Sequence, residues 1–142
     1  MSENKLFQVP NLGNSIMERK VAFLSIIFAL VHFVGETLWH LKFGQPISML
    51  VVDYIAVSLL LYGGFKAIKN AQFIGLLCGA WGFEFCLNYR ALFNRVEKMA
   101  SGIGHGDPAI DSTAYVLAVL MAVSITMFVS TIYLCHRQVK NV

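Results

Sequence analysis

Four long apolar stretches, joined by short polar links, account for most of the chain. They run over about 20–41, 46–68, 72–96 and 112–135. Each is long enough to cross a bilayer as a helix, which takes about 20 mostly apolar residues. Pro46 stands at a favoured first-turn position. Asp111 is a natural N-cap ahead of "STAY". The links are "KFGQ", "KNA" and the longer "KMASGIGHGDPAID". Short links set successive helices side by side in opposite directions. The pattern therefore predicts an all-α, integral membrane four-helix bundle with up-down-up-down topology. Residues 1–19 form a polar lead-in, 20–137 a single transmembrane domain and 138–142 a polar tail. No internal repeat is present beyond the alternation of spans.

Composition strengthens this picture. Of 142 residues, 57% are hydrophobic and only 13% charged, about half the charged share of a soluble domain. The lead-in "MSENKLFQVPNLGNSIMER" lacks the apolar core and small-residue cleavage site of a secretory signal, so the first span is expected to act as an uncleaved anchor. Lys5, Arg19, Lys20, Lys66, Lys69, Arg137 and Lys140 collect on one side. Lys42, Arg90, Arg95 and Lys98 collect on the other. The positive-inside rule then predicts both termini in the cytoplasm, with a bacterial inner membrane as the expected location. Cys78, Cys86 and Cys135 are odd in number, without CxxC spacing, and read as small buried hydrophobes rather than disulfide or zinc partners. No basic patch with interleaved aromatics appears, which excludes nucleic acid as an expected partner.

Polar residues inside the spans change the picture most. The segment "VHFVGETLWH" carries His32, Glu36 and His40, each four residues from the last and so on one helix face. Depth along each helix follows from its rise of ~1.5 Å per residue. His32, Asp53, Glu84 and Ser124 then lie ~18–20 Å from the cytoplasmic ends of their helices. Four helices thus place a polar group at one level, in the outer half of the membrane. Glu36 and Asn88 follow one turn further out, and Trp81 shares a face with Glu84 and Asn88. On the second span Asp53 shares a face with Ala56, Leu60, Gly63 and Gly64, small residues that let a neighbour approach closely. An ionised group at the bilayer centre costs at least ~2.5 kcal/mol. Three carboxylates at this level must therefore be protonated, paired, or bound to a cation. Arg90 lies on another face from Glu84, and Arg95 is ~16 Å further along the helix. Both can extend to headgroups. His32 and His40 remain as the nearest partners.

Three chemistries suit these residues. A divalent metal is one candidate cofactor, with His32, Glu36, Asp53 and Glu84 as ligands, since imidazole and carboxylate suit zinc, iron or manganese. Neither Glu-x-x-His nor HExxH is present, however. Acid–base work on a lipophilic small molecule is the second. Here Glu84 and Asp53 act as acid–base groups, and His32 with Glu36 forms a proton-shuttling pair. Asn88, Trp81, His40 and Ser124 are the accompanying ligand-binding candidates, His40 at the outer entrance. The third is a quinone pocket. Bis-histidine haem is disfavoured, because His32 and His40 share one helix and no other helix offers a histidine near that depth.

The "HFVGE" spacing, His followed by Glu four later in a membrane helix, resembles the emopamil-binding family of sterol isomerases over five of 142 residues. No site residue is carried over from it. The layout of four spans resembles small bacterial membrane proteins of the DoxX-like kind in architecture alone. In the outer loop, His105 and Asp107 are candidates for a lid, against the simpler reading of a solvated turn. The alternative to a binding or catalytic site is a non-catalytic subunit or proton-relay accessory, as a homo-oligomer or with a partner subunit, whose polar layer pairs with another protein. The two separate on one point. An Asp53 or Glu84 facing lipid would need a partner protein to cover it.

Overall fold

The computed structural model describes residues 16–102 and 108–140. Most of the lead-in, together with His105 and Asp107, lies outside the described residues. Four helices are found: α1 (Ile16–Phe43), α2 (Ile47–Lys69), α3 (Ile74–Ala100) and α4 (Pro108–Lys140). A short 3-10 turn, Ala71–Phe73, leads into α3. Three of the four helices are long and apolar enough to cross a membrane: α1, α2 and the Thr113–Lys140 part of α4. This fits a membrane helical bundle. Of the four expected spans, α3 is the one that is not apolar enough to count among them. Glu84, Asn88 and Arg90 all fall within its middle turns and lower its apolarity.

Three of the four helices, α1, α3 and α4, are longer than their apolar stretches, while α2 matches its stretch to within a residue at each end. Hydropathy marks where lipid can lie, whereas backbone hydrogen bonding continues into polar flanks until a residue breaks it. Gly44 is such a residue after α1. It takes the left-handed conformation (φ 69°), and its N–H donates to the His40 carbonyl at 2.9 Å. That is a C-terminal cap which glycine adopts without a Cβ penalty. Gly102 does the same after α3 (φ 72°). Pro46 immediately precedes α2, as its missing N–H and fixed φ favour. Asn70 starts the 3-10 turn by accepting a hydrogen bond from the Gln72 N–H at 3.0 Å. Asp111 does not cap α4, because that helix already begins at Pro108.

Packing divides the helices into two close pairs. α1 lies mainly against α2, and α3 mainly against α4. α2 joins the pairs by packing on α3, while α1 meets α3 and α4 over few residues. The expected small-residue face of α2 makes these approaches. A Cβ on Gly64 would lie 2.7 Å from Ile26 Cγ1 and 3.0 Å from the Ala22 carbonyl oxygen of α1. A Cβ on Gly63 would lie 3.2 Å from Leu77 of α3. The core runs through Ala22, Ala29, Leu60, Ala67, Ile74, Leu77, Trp81 and Leu134.

One end of the core is closed by polar ties. Gln138 donates to Glu18 at 3.2 Å and to the Ala71 carbonyl at 2.9 Å, joining α4 to α1 and the 3-10 turn. Ser25 donates to the Val21 carbonyl and accepts from Trp81 Nε1 at 2.9 Å, joining α1 to α3. Towards the other end, where α1 gives way to α2, a cleft opens between the helices.

Candidate functional site

The cleft has a volume of about 730 Å³ and is bordered by all four helices and the α1–α2 link. That size falls within the range of about 300–1,000 Å³ usual for small-molecule sites. Its walls are largely apolar, from Val31, Met49, Val52, Leu87, Val116 and Leu120. It is partly open, and two of its edges, Val31 on α1 and Val116 on α4, are 63% and 57% exposed. Both belong to helices long and apolar enough to cross a membrane.

Polar groups gather at the inner end. His32 is buried and touches two carboxylates with its two ring nitrogens. Nδ1 lies 3.0 Å from Glu84 Oε1, and Nε2 lies 3.5 Å from Glu36 Oε1. The first contact is at ion-pair distance but out of line for a hydrogen bond, so Nδ1 has no aligned acceptor. Phe28 holds the ring edge-on at 5.8 Å between centroids and packs in turn, tilted, against Trp81 at 4.8 Å. Glu84 is fully buried. Asn88, one turn along α3, donates to Glu84 Oε1 at 2.8 Å, while Glu84 Oε2 has no hydrogen-bond partner. A carboxylate this deep is tolerated because His32 and Asn88 both crowd its Oε1. Of this network, His32, Glu36 and Asn88 line the cleft, and Glu84 stands behind them.

Asp53 lines the same cleft but is held differently. Its Oδ2 accepts from Gln45 Nε2 at 3.0 Å. The Gln45 carbonyl accepts from His40 Nδ1–H at 2.9 Å, so that nitrogen carries the proton. Gln45 therefore ties the end of α1 to the second turn of α2. Nearby, Thr37 gives its own proton to the Phe33 carbonyl, so Tyr54 must donate in the 2.8 Å contact between the two hydroxyls.

The structure brings together His32, Glu36, Glu84 and Asn88, with Asp53 across the same cleft. Three expected ligand-binding residues do not line it. Trp81 is fully buried, and its N–H is spent on Ser25. Ser124 is fully buried and donates to the Met121 carbonyl. His40 turns to the link. The four expected metal ligands do not converge either. Among the described residues no group of three or more His, Cys, Asp or Glu side chains is placed to hold a metal ion. The reason is geometric. The His32 ring itself fills the space between Glu36 and Glu84, presenting one nitrogen to each, and Gln45 occupies Asp53.

Several residues of the site were not expected from sequence. Gln45 sits in a link, where side chains usually meet solvent. Ser25 lies seven residues before His32, on the same helix face, and that spacing was a usable signal. Arg90 and Arg95, expected to extend to headgroups, both line the cleft, as does Lys98, and Arg95 lies over the Trp39 ring at 5.7 Å. Glu84 is fully buried, while Asp53 is half-buried and lines the cleft. Comparison with protein-family models, curated proteins and solved structures finds no match to the chain.

Proposed function

We propose that this protein binds a small lipophilic molecule in the cleft between its helix pairs, with the polar end of the molecule meeting His32, Glu36, Asp53 and Asn88. In this reading the helices alternate in direction, the termini are cytoplasmic and the cleft lies in the outer half of the membrane. The observation that carries it is His32 held between Glu36 and Glu84 at the inner end of a partly open, largely apolar cleft. An imidazole flanked by carboxylates in a water-poor site can accept and return a proton. The same arrangement therefore serves acid–base chemistry on the bound molecule. A divalent metal is the weaker reading, given the way His32 separates its carboxylates.

Native mass spectrometry with elemental analysis of the detergent-purified protein tests this. The expected result is one lipophilic molecule per chain and no stoichiometric metal. Gly35 provides the control. It lines the cleft, and nothing lies within 4 Å of a Cβ added there. Gly35→Phe should fill the cleft and remove the bound molecule without unfolding the protein. A bound mass unchanged by Gly35→Phe, or a metal lost on His32→Ala, would overturn the proposal.

A further inference from the structure

The proposed ligand cleft has an uneven charge distribution, and the chemistry of its occupant follows from it. Its inner end holds the acids Glu36 and Asp53. Its mouth holds Arg90, Arg95 and Lys98, all from α3. Arg90 lies ~9 Å beyond Glu84 along the helix, Arg95 ~16 Å and Lys98 ~21 Å. Residues 90, 94 and 98 follow at four-residue steps and share a face, with Arg95 beside them. Among the described residues, none of the three cations has a carboxylate within 4.0 Å; the ion pairs found there are both made by His32. Arg95 instead rests on Trp39, which holds its guanidinium at the cleft edge.

Resting on the ligand-cleft reading, we infer that the occupant is a phospholipid of the surrounding bilayer. Its phosphate is held by Arg90, Arg95 and Lys98, the uncharged headgroup alcohol beyond the phosphate points inward to His32, Glu36, Asp53 and Asn88, and its tails leave between Val31 and Val116. Two guanidiniums and an ammonium are well suited to phosphate oxygens, which arginine binds in bidentate fashion. The acids further in repel an anion, so the phosphate stays at the mouth rather than moving to the His32 level. The exposed Val31 and Val116 edges give the acyl chains an apolar exit into the bilayer. Asn94, on the same face as Arg90 and Lys98, adds an uncharged donor for the phosphate.

The test uses the full chain in a maltoside detergent. Thermal stability and tryptophan emission are followed while dioleoyl phosphatidylglycerol, dioleoylglycerol or sn-glycerol 3-phosphate is added. Trp39→Phe identifies the signal from the cleft mouth. Phosphatidylglycerol should bind at least tenfold more tightly than dioleoylglycerol. The triple variant Arg90→Gln/Arg95→Gln/Lys98→Gln should lose at least tenfold of that affinity. Lys69→Gln/Arg137→Gln/Lys140→Gln, which removes equal charge at the other end, should lose less than threefold. Equal binding of dioleoylglycerol would overturn the phosphate assignment and leave the cleft reading intact. Glycerol phosphate binding as tightly as phosphatidylglycerol would replace the bilayer lipid with a soluble phosphate. Equal losses in the two triple variants would reduce the effect to net charge and overturn the inference. If no lipid binds and Gly35→Phe changes nothing, the cleft reading falls with it.

Discussion

At the scale of single residues, His32 and Glu84 depend on each other. Removing one partner of a buried ionisable pair leaves the other without compensation and costs about 3–5 kcal/mol. Removing both can be nearly neutral when the volume is kept. His32→Leu and Glu84→Leu should therefore each lower the melting temperature strongly in detergent. The double variant should be more stable than the sum of the two losses implies. Additive losses would mean that the 3.0 Å contact carries no coupling. Asp53→Asn should cost no more than about 1.5 kcal/mol, because the residue is half-buried and makes one side-chain hydrogen bond, to Gln45. A loss for Asp53→Asn as large as that for Glu84→Leu would contradict the separation of the two acids.

Whole helices meet through small residues, and two glycines should respond in opposite directions to the same change. Alanine in place of glycine inside a helix gains about 1 kcal/mol from propensity. At Gly35 nothing opposes that gain, so Gly35→Ala should raise the melting temperature. At Gly64 the new methyl meets Ile26 and the Ala22 carbonyl of α1, and crowding of this kind costs about 1–3 kcal/mol. Gly64→Ala should lower the melting temperature. If both rise together, α1 and α2 are not as close as described. Sequence gave a fair account at this scale. Apolar runs located all four helices, because burial and lipid contact both require them. The ends of α2 were legible to within a residue, with Pro46 marking its start. Those of α1, α3 and α4 were not, since Gly44 and the polar flanks set them through backbone hydrogen bonds that hydropathy does not sense. α3 is the instructive case. It was expected as a fourth span, and its Glu84, Arg90 and Arg95, already legible in the sequence, are what lower its apolarity and supply the cleft with its cations and its fully buried carboxylate.

The whole molecule is two helix pairs joined where α2 packs on α3, with a cleft bordered by all four helices. The matched depths of His32 and Glu84 could be read from helical rise alone, and the two side chains do meet. Depth carries no information about rotation, which is why Ser124 at the same level bonds its own helix instead. Asp53 was legible as part of the layer, but its partner was not, because Gln45 reaches it from a link whose path depends on Gly44 and Pro46. Nor could sequence show that the imidazole stands between Glu36 and Glu84, an arrangement that weakens the metal reading and favours proton exchange with a bound molecule.

The central claim is that the cleft admits a lipophilic molecule from the bilayer, and photo-crosslinking tests it most directly. The protein is placed in nanodiscs with a trace of lipid bearing a diazirine on its acyl chain, irradiated and digested, and the adducts are mapped by mass spectrometry. The account predicts adducts on cleft-lining Met49, Val52 and Leu120 as well as on outward residues such as Phe65 and Ile132. Gly35→Phe should abolish the first group and leave the second. Adducts on outward residues alone, unchanged by Gly35→Phe, would contradict it.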